Sequence, residues 1–236
     1  MIVGNAGAQQ FPQAAAPPAV GATAPDLRLG SDDIARPAGL PEMGKWMYDP
    51  TGVPAHWLGE MYVGKRLHEP INVIIIDRAA ASPEDAVERL SRAAATAGCP
   101  SRFGHSSGYQ ASIGGEVFGQ IEKAREHAFS DEVFELTNDH GRIFGPHRFG
   151  SGHLFVGAFS REKVDPLDAP GHRYVSFNEA RDRFSQSLDV KTPYKVKAFV
   201  PLDNALVANP EITTGDHDGI AVLVEAHWSE FPLADC

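Results

Sequence analysis

The chain of 236 residues carries 31 acidic and 21 basic side chains, which gives a formal net charge of -10 at pH 7. This excess of negative charge disfavours long-range attraction to nucleic acid or to an anionic bilayer surface, although a local basic patch is compatible with it. Hydrophobic residues make up 42% of the sequence and charged residues 22%, which is ordinary for a chain that buries a core. We therefore expect a soluble globular protein with no nucleic-acid partner.

The cysteines and the apolar runs bear on the cellular compartment. Cys99 and Cys236 are far apart in sequence, so a disulfide framework is not indicated. The longest apolar runs, Ile71–Ile76 and Ile220–Val224, have the length of strands rather than of membrane spans. The first residues lack the basic start and apolar stretch of a signal peptide. We expect no transmembrane segment and, by default, a cytoplasmic location. Binding to a membrane-protein partner is compatible with this expectation.

Residues 1–45 are rich in Ala, Pro and Gly, as in Gln13–Pro18, and show no sustained helical or strand period. An arm of this kind is extended on its own, and ordering it requires contacts that offset the lost chain entropy. The sequence therefore predicts an extended arm over residues 1–45 that lies along a neighbouring chain. A single domain over residues 46–236 follows it, and Trp46, Tyr48 and Trp57 are interpreted as a hydrophobic anchor at the junction.

The first regular element predicted is a strand over Ile71–Asp77, whose β-branched run is typical of burial on both faces. A helix follows, with Ser82 as its N-cap, Asp85 three residues later and an apolar face that ends before Gly98. This strand, loop and helix form the best-defined local unit of the sequence.

Short strands separated by glycines are predicted between Phe103 and Phe159, with the clearest at Leu154–Phe159. A second helix begins after Ser176, where Glu179 completes a capping-box pattern, and it ends before Pro193. Two further strands are predicted at Tyr194–Val200 and Gly219–His227. Helices interspersed with short strands predict an α+β fold, a layered sandwich in which two helices cover one face of a mixed, mainly antiparallel sheet.

Several segments, in the same order, resemble the C-terminal domain of the LssY family. The run His68–Ile75 and the helix closing on Ala97-Gly98 are similar to the opening of that domain. His140–Phe144 is similar to its His-x-Arg-aromatic stretch, and Val156–Glu162 to its Gly-Ala-x-Ser segment. The resemblance covers a core of about residues 67–190.

The later part of the resemblance consists of His172 and the Arg181-Asp182 pair, with one departure. Ala180 stands where the family has a glutamate before Arg-Asp, which removes a carboxylate from this position. The resemblance implies a fold and a set of polar residues of interest, including His140, Arg142, His172 and Arg181. Because no activity is established for the domain, it implies no reaction.

A polar cluster in the middle of the sequence is a candidate metal site. Its members are Asp139, His140, Arg142, His147, His153 and His172. Three converging His or Asp ligands with an open position would bind zinc or a similar divalent ion and activate water for hydrolysis. Their spacing matches no helical metal motif, so the site depends on strands bringing the residues together. The alternative is that these side chains pack and hydrogen-bond to backbone. No cofactor is predicted beyond this divalent metal.

Arginines provide a second candidate site, for an anion. Arg142, Arg173 and Arg181 could together bind a phosphate or carboxylate, because guanidinium groups bind such oxygens in bidentate fashion. The alternative is structural pairing with Asp139, Glu179 or Asp182. Cys99 follows the end of a helix, where the helix dipole disfavours a thiolate, and is interpreted as a packing residue.

The leading hypothesis from the sequence is a non-catalytic, LssY-like accessory subunit that interacts with a protein partner in an assembly, partly through its N-terminal arm. The first alternative is a metal-dependent or phosphate-handling hydrolase, with His140, Arg142, His172 and Arg181 as candidate catalytic residues and Asp139, His140, His147 and His153 as candidate metal ligands. The second alternative is a small-ligand binding module.

Overall fold

The computed structural model describes residues 27, 29–123, 126–165, 171–205 and 213–226. These residues contain the helices α1 (Pro83–Ala97) and α2 (Phe177–Lys191), and a 3-10 turn at Ser31–Asp33. They also contain the strands β1 (Ile34–Ala35), β2 (Met43–Gly44), β3 (His56–Tyr62), β4 (Lys65–His68), β5 (Val73–Asp77), β6 (Ser101–Arg102), β7 (Gln110–Ile113), β8 (Glu116–Gly119), β9 (Ala128–Ser130), β10 (Asn138–Phe149), β11 (Gly152–Val164), β12 (His172–Ser176), β13 (Lys195–Pro201) and β14 (Ile220–Ala226).

The central sheet has the strand order β13-β14-β5-β11-β10-β9-β6, and β12 pairs with the C-terminal part of β11. β14 and β5 are parallel, whereas the other neighbours are antiparallel. β5 lies inside the sheet and is buried on both faces, which explains its continuous apolar sequence. The predicted α+β fold with a mixed, mainly antiparallel sheet is confirmed.

Both helices cover one face of the central sheet, as predicted. Val73, Ile75 and Phe159 from the sheet pack with Leu90 of α1 and Phe184 of α2 in one buried cluster. Alternate residues point to opposite faces of a strand, so the neighbouring side chains of the same strands face away from the helices. The sheet therefore has two separate interiors, one on each face.

Both predicted helix caps are present. The Ser82 hydroxyl accepts a hydrogen bond from the backbone of Asp85 (3.2 Å), and the Ser176 hydroxyl accepts one from Glu179 (2.9 Å). α1 ends at Gly98, whose φ of 94° lies in the left-handed region that glycine adopts without strain. These local signals fix where each helix begins and how it lies on the sheet.

A smaller sheet with the order β1-β2-β7-β8 covers part of the other face. Met43 of β2 and Ile113 of β7 pack there against Ile74, Leu154 and Val156 of the central sheet. Near the C-terminal part of β11, the loop residues His105 and Phe134 lie against the histidines of this region instead. β3 and β4 form a separate two-stranded hairpin.

The prediction that regular structure begins at Ile71 was wrong, because β1 to β4 precede it. β1 and β2 contain two residues each, too few to show an alternating pattern. In β3 the alternation is interrupted by a shift of register between His56 and Met61. Residues 1–26 and 28 of the predicted arm, together with His227 and Cys236, lie outside the described residues.

The helices also bear on membrane insertion. Across the part of the chain that the structure describes, neither helix is long and apolar enough to cross a bilayer.

Candidate functional site

A stripe of buried polar side chains runs across β10 and β11 on the face that is turned away from the helices. Asn138, His140 and Arg142 alternate along β10, and the pairing register places Asn138 opposite Glu162 and His140 opposite Ser160 of β11. All five residues are buried. Buried polar groups are stabilised only when they are hydrogen-bonded, so this stripe requires a network of partners.

Hydrogen bonds connect four of these side chains in a row. The Asn138 amide donates to Glu162 Oε1 (2.6 Å), which leaves its Oδ1 as the acceptor facing His140 Nδ1 (2.9 Å). His140 Nδ1 is therefore the protonated ring nitrogen. Its Nε2 lies 3.4 Å from the Ser160 hydroxyl, which can donate to it. The network fixes both the amide orientation and the imidazole tautomer.

The other oxygen of Glu162 faces a histidine from a different strand. His172 begins β12, and its Nδ1 lies 3.1 Å from Glu162 Oε2. The ring is not aligned for a hydrogen bond to this oxygen, since His172 Nδ1 has no partner within hydrogen-bond geometry. Glu162 and His172 thus form a carboxylate–imidazole pair at the edge of the buried stripe.

Arg142 provides the positive charge of the cluster. Its Nη1 lies 3.9 Å from Oε2 of Glu69, in the loop between β4 and β5, and its Nη2 donates to the Ser106 hydroxyl (2.9 Å). The guanidinium carbon lies 4.2 Å from the centre of the Tyr109 ring. Arg142 is therefore held by an ion pair, a hydrogen bond and an aromatic ring at the same time.

Aromatic rings cover the cluster. His105 stacks on His140 with ring centres 4.8 Å apart, and Phe134 stacks on His172 at 4.4 Å. Phe134 also meets His105 edge to face at 5.3 Å. Phe134 lies on the loop between β9 and β10, so a single side chain contacts imidazoles from two different segments of the chain.

Burial determines the protonation of these groups. It lowers the pKa of His105 to about 4 and the pKa of His140 well below its ordinary value, and the charge of Arg142 adds to both shifts. Burial raises the pKa of Glu69, against the opposing effect of Arg142. It also raises the pKa of Glu162, against its hydrogen bond from Asn138. At neutral pH the stacked imidazoles are uncharged and each can act as donor and acceptor.

His172 connects the cluster to the surface. Together with Trp57, Glu60 and Arg173 it lines a surface cavity of about 200 Å³, which Leu58, Gly59 and Gly171 complete. Phe134 lines a second cavity of about 180 Å³ on its other side. A small molecule in the first cavity would therefore meet an imidazole whose other side faces a buried carboxylate.

Three of the four candidate catalytic residues, His140, Arg142 and His172, come together in this cluster. The fourth, Arg181, lies on α2, where it donates to Asp218 (2.7 Å), Asp182 (2.7 Å) and the backbone oxygen of Ile220 (2.7 Å). Arg181 therefore joins a helix to the start of β14. Arg142, Arg173 and Arg181 do not form one anion site.

The candidate metal ligands lie in different places. Asp139 faces the helices and pairs with Arg161 (2.9 Å), whereas its neighbour His140 faces the opposite way. His147 contacts Glu116 (3.1 Å) at the edge of the small sheet, and His153 lies opposite Asp77 near the start of α1. Within the described ranges, no three His, Cys, Asp or Glu side chains are grouped so that they could hold a metal ion.

Sequence reasoning missed several members of the cluster: Glu69, His105, Asn138, Ser160 and Glu162. The available signal was the alternation of polar residues at 138, 140 and 142, which marks one face of a strand. Glu69 and His105 come from loops, and no periodic pattern could place them.

Comparison with known proteins provides no family for the chain. No family model, no curated protein and no solved structure matches it. The resemblance to the LssY C-terminal domain stays a prediction.

Proposed function

We propose that the protein is a hydrolase for a small anionic ester, with His172 as the general base and Glu162 as its positioning partner. The observation that carries the proposal is the Glu162–His172 pair at 3.1 Å, which joins a buried hydrogen-bonded network to a surface cavity. An imidazole beside a carboxylate is the usual arrangement for general-base catalysis by histidine.

The chemistry assigned to the pair is activation of water. His172 takes a proton from a water molecule in the cavity, and the water oxygen forms a bond to the carbonyl carbon or the phosphorus of the ester. The protonated imidazole then returns the proton to the departing alcohol oxygen. Glu162, fixed by Asn138 (2.6 Å), orients the ring and stabilises the imidazolium while it exists.

The cavity indicates the substrate class. Arg173 and Glu60 both line the cavity beside His172, and we assign the phosphate or carboxylate of the substrate to the Arg173 side, with the buried ring of Trp57 at the base of the cavity. A volume of about 200 Å³ suits a small molecule. It lies below the roughly 300–1,000 Å³ typical of sites for drug-sized ligands.

The alternative for the cluster is a purely structural network. Such a network satisfies its polar atoms, yet the Nε2 of His105 and the Nδ1 of His172 have no hydrogen-bond partner. Unpaired buried polar atoms destabilise the folded state by about 1–3 kcal/mol each. Because His172 lines the cavity, its unpaired Nδ1 beside Glu162 favours a pair that becomes aligned when a ligand binds.

The experiment is a panel of chromogenic esters tested with the purified protein and with Glu162→Gln. The panel contains 4-nitrophenyl phosphate, its diester and the 4-nitrophenyl esters of acetate and succinate. We expect hydrolysis of an anionic member and a fall in kcat of about 10²-fold or more in Glu162→Gln, because the imidazole loses its orienting charge.

Glu116→Gln is a matched control, since Glu116 makes the same 3.1 Å contact with His147 at an exposed position away from the cluster. It is expected to keep wild-type activity. An inert wild type on every ester, or equal activity of the two variants, contradicts the proposal.

The accessory-subunit hypothesis stays a prediction, because the residues of the arm on which it depends lie mostly outside the described part of the chain. The mass of the native particle tests it. A protein that is monomeric both before and after protease removes its first 26 residues would contradict it.

A further inference from the structure

The β3–β4 hairpin, residues 56–68, carries a concentration of exposed apolar side chains. Leu58 is 66% exposed, Met61 57%, Tyr62 40% and Val63 80%. Single exposed apolar residues are ordinary, but four within six positions on one hairpin are not. The base of the hairpin is buried, because Trp57 and Leu67 pack with Phe177. The hairpin is thus anchored at one end and apolar at the other.

Backbone conformation strengthens this observation. Val63 has a φ of 50° and Leu58 a φ of 41°, both in the left-handed region that β-branched and bulky residues rarely adopt. The turn Val63-Gly64 has positive φ at both positions, a type for which Asn or Gly is the preferred first residue. Exposure and conformation both disfavour valine here, so its presence is not explained by folding.

The charges near the tip have the opposite sign to those of the whole chain. Lys65 and Arg66 follow the turn directly and pair with Tyr62 and Met61 across the hairpin, and the Arg66 guanidinium also contacts His56 through Nη1. The acidic residue of the hairpin, Glu60, accepts a hydrogen bond from the backbone of Tyr174 (3.1 Å) at the body of the protein. A chain with a net charge of -10 thus presents an apolar tip with two basic residues.

We propose that the tip of the β3–β4 hairpin is a docking surface for an anionic lipid bilayer. Met61, Tyr62 and Val63 would enter the interface between head groups and acyl chains, while Lys65 and Arg66 contact lipid phosphates. The few exposed apolar side chains at the tip offer less surface than the roughly 800 Å² that each partner buries in a stable protein complex. A bilayer needs no larger patch, because insertion of a few apolar side chains with adjacent basic residues suffices.

The position of the tip relates docking to the cavity described above. Leu58, Gly59 and Glu60 line the cavity beside His172, and Val63 lies three to five residues further along the chain, in the turn that follows β3. This corresponds to roughly 10–17 Å of extended chain. A docked protein would hold the cavity close to the head-group layer. The docking proposal itself does not depend on hydrolase activity, and its test measures none.

The test is co-sedimentation of the whole protein with vesicles of phosphatidylcholine, with and without roughly one-third phosphatidylserine. We expect binding to the anionic vesicles and little to the neutral ones. Val63→Asn should weaken binding about tenfold, because a side chain that enters the apolar layer becomes polar. Lys65→Glu should weaken it at least fivefold. Because Asn tolerates the left-handed region, Val63→Asn should unfold at the wild-type temperature or above it, which separates lost binding from lost folding.

Two matched variants serve as controls. Val190→Asn removes a valine that is 79% exposed on α2, and Lys197→Glu inverts an exposed charge on β13. Both should bind vesicles as the wild type does. Absence of binding by the wild type, or equal loss in tip and control variants, overturns the proposal. So does a wild-type dimer that Val63→Asn converts to monomer, since that outcome assigns the tip to a second copy of the chain.

Discussion

Replacing Arg142 by methionine tests whether the buried cluster is held together by charge. Met keeps the apolar stem of the side chain but removes the guanidinium that lies 3.9 Å from Glu69 and donates to Ser106. Glu69 would then be a buried carboxyl without its positive neighbour. We expect Arg142→Met to destabilise the protein, to an extent that depends on pH.

The magnitude follows from the geometry. Removal of one partner of a buried ion pair costs about 3–5 kcal/mol. The lower end applies here, because Arg142 and Glu69 are 3.9 Å apart and the carboxyl can become protonated. A loss of about 3 kcal/mol corresponds to a fall in Tm of about 6–12 °C for a domain of this size.

The pH dependence has a defined sign. Burial raises the pKa of Glu69 above its ordinary 4.5, so the folded state binds more protons than the unfolded state just above pH 4.5. Stability therefore falls as pH rises from 4.5 towards the raised pKa of Glu69. Loss of Arg142 raises that pKa further. The difference between wild type and Arg142→Met should be small near pH 4.5 and grow towards neutral pH.

Urea unfolding at several pH values measures the effect, with the double variant Arg142→Met/Glu69→Gln as the decisive comparison. The double variant has no carboxylate at position 69 that would be left buried without its positive neighbour. It should therefore recover much of the stability lost at pH 8, and its own stability should not show the fall with rising pH that Glu69 causes. Arg36→Met is the control, since its partner Glu42 is exposed and the expected change is below about 1 kcal/mol. Equal losses in the single and double variants at every pH would refute the reasoning.

Two further predictions concern the helix side of the sheet. Asp77→Ala should lower the free energy of unfolding in urea by about 3–5 kcal/mol. The reason is that Asp77 accepts hydrogen bonds from Arg89, from the Tyr194 hydroxyl and from two backbone amides. A loss below about 1 kcal/mol would show that the network is dispensable. Gly141→Ala should cost about 1–3 kcal/mol, because its Cβ would lie less than 3.0 Å from the Phe159 ring. Gly119→Ala, whose Cβ meets nothing within 4 Å, is the control, and an equal cost in both would contradict the packing argument.

The parts of the fold that sequence predicts are those fixed by local chemistry. Ser82 and Ser176 cap the two helices because a hydroxyl at that position satisfies a free amide, whatever the rest of the chain does. The run that contains β5 reads as buried because it is apolar at nearly every position. In each case one short segment contains the whole signal.

The remaining elements depend on contacts that a single segment does not encode. β1 and β2 contain two residues each and join the small sheet through the pairing of β2 with β7. β12 was missed because its five residues, with the burial pattern of an edge strand, resemble an irregular connection. The candidate site was predicted in part: His140 and Arg142 share a strand face by alternation, whereas Glu69 reaches Arg142 through a loop whose path only the folded chain defines.

The location of the cluster follows from how one face of the central sheet is covered. The face turned away from the helices is apolar at Phe144 and Val156, where the small sheet covers it, and polar at His140 and Glu162, where loops cover it. Packing of one sheet against another requires apolar side chains on both facing surfaces, because the covering sheet brings no free hydrogen-bond donors or acceptors to the interface. Loops bring side chains such as His105 that can pair with polar groups, and they tolerate change without loss of the core. Buried imidazoles and carboxylates beside a surface cavity can therefore be accommodated where the cover of the central sheet changes from the small sheet to loops.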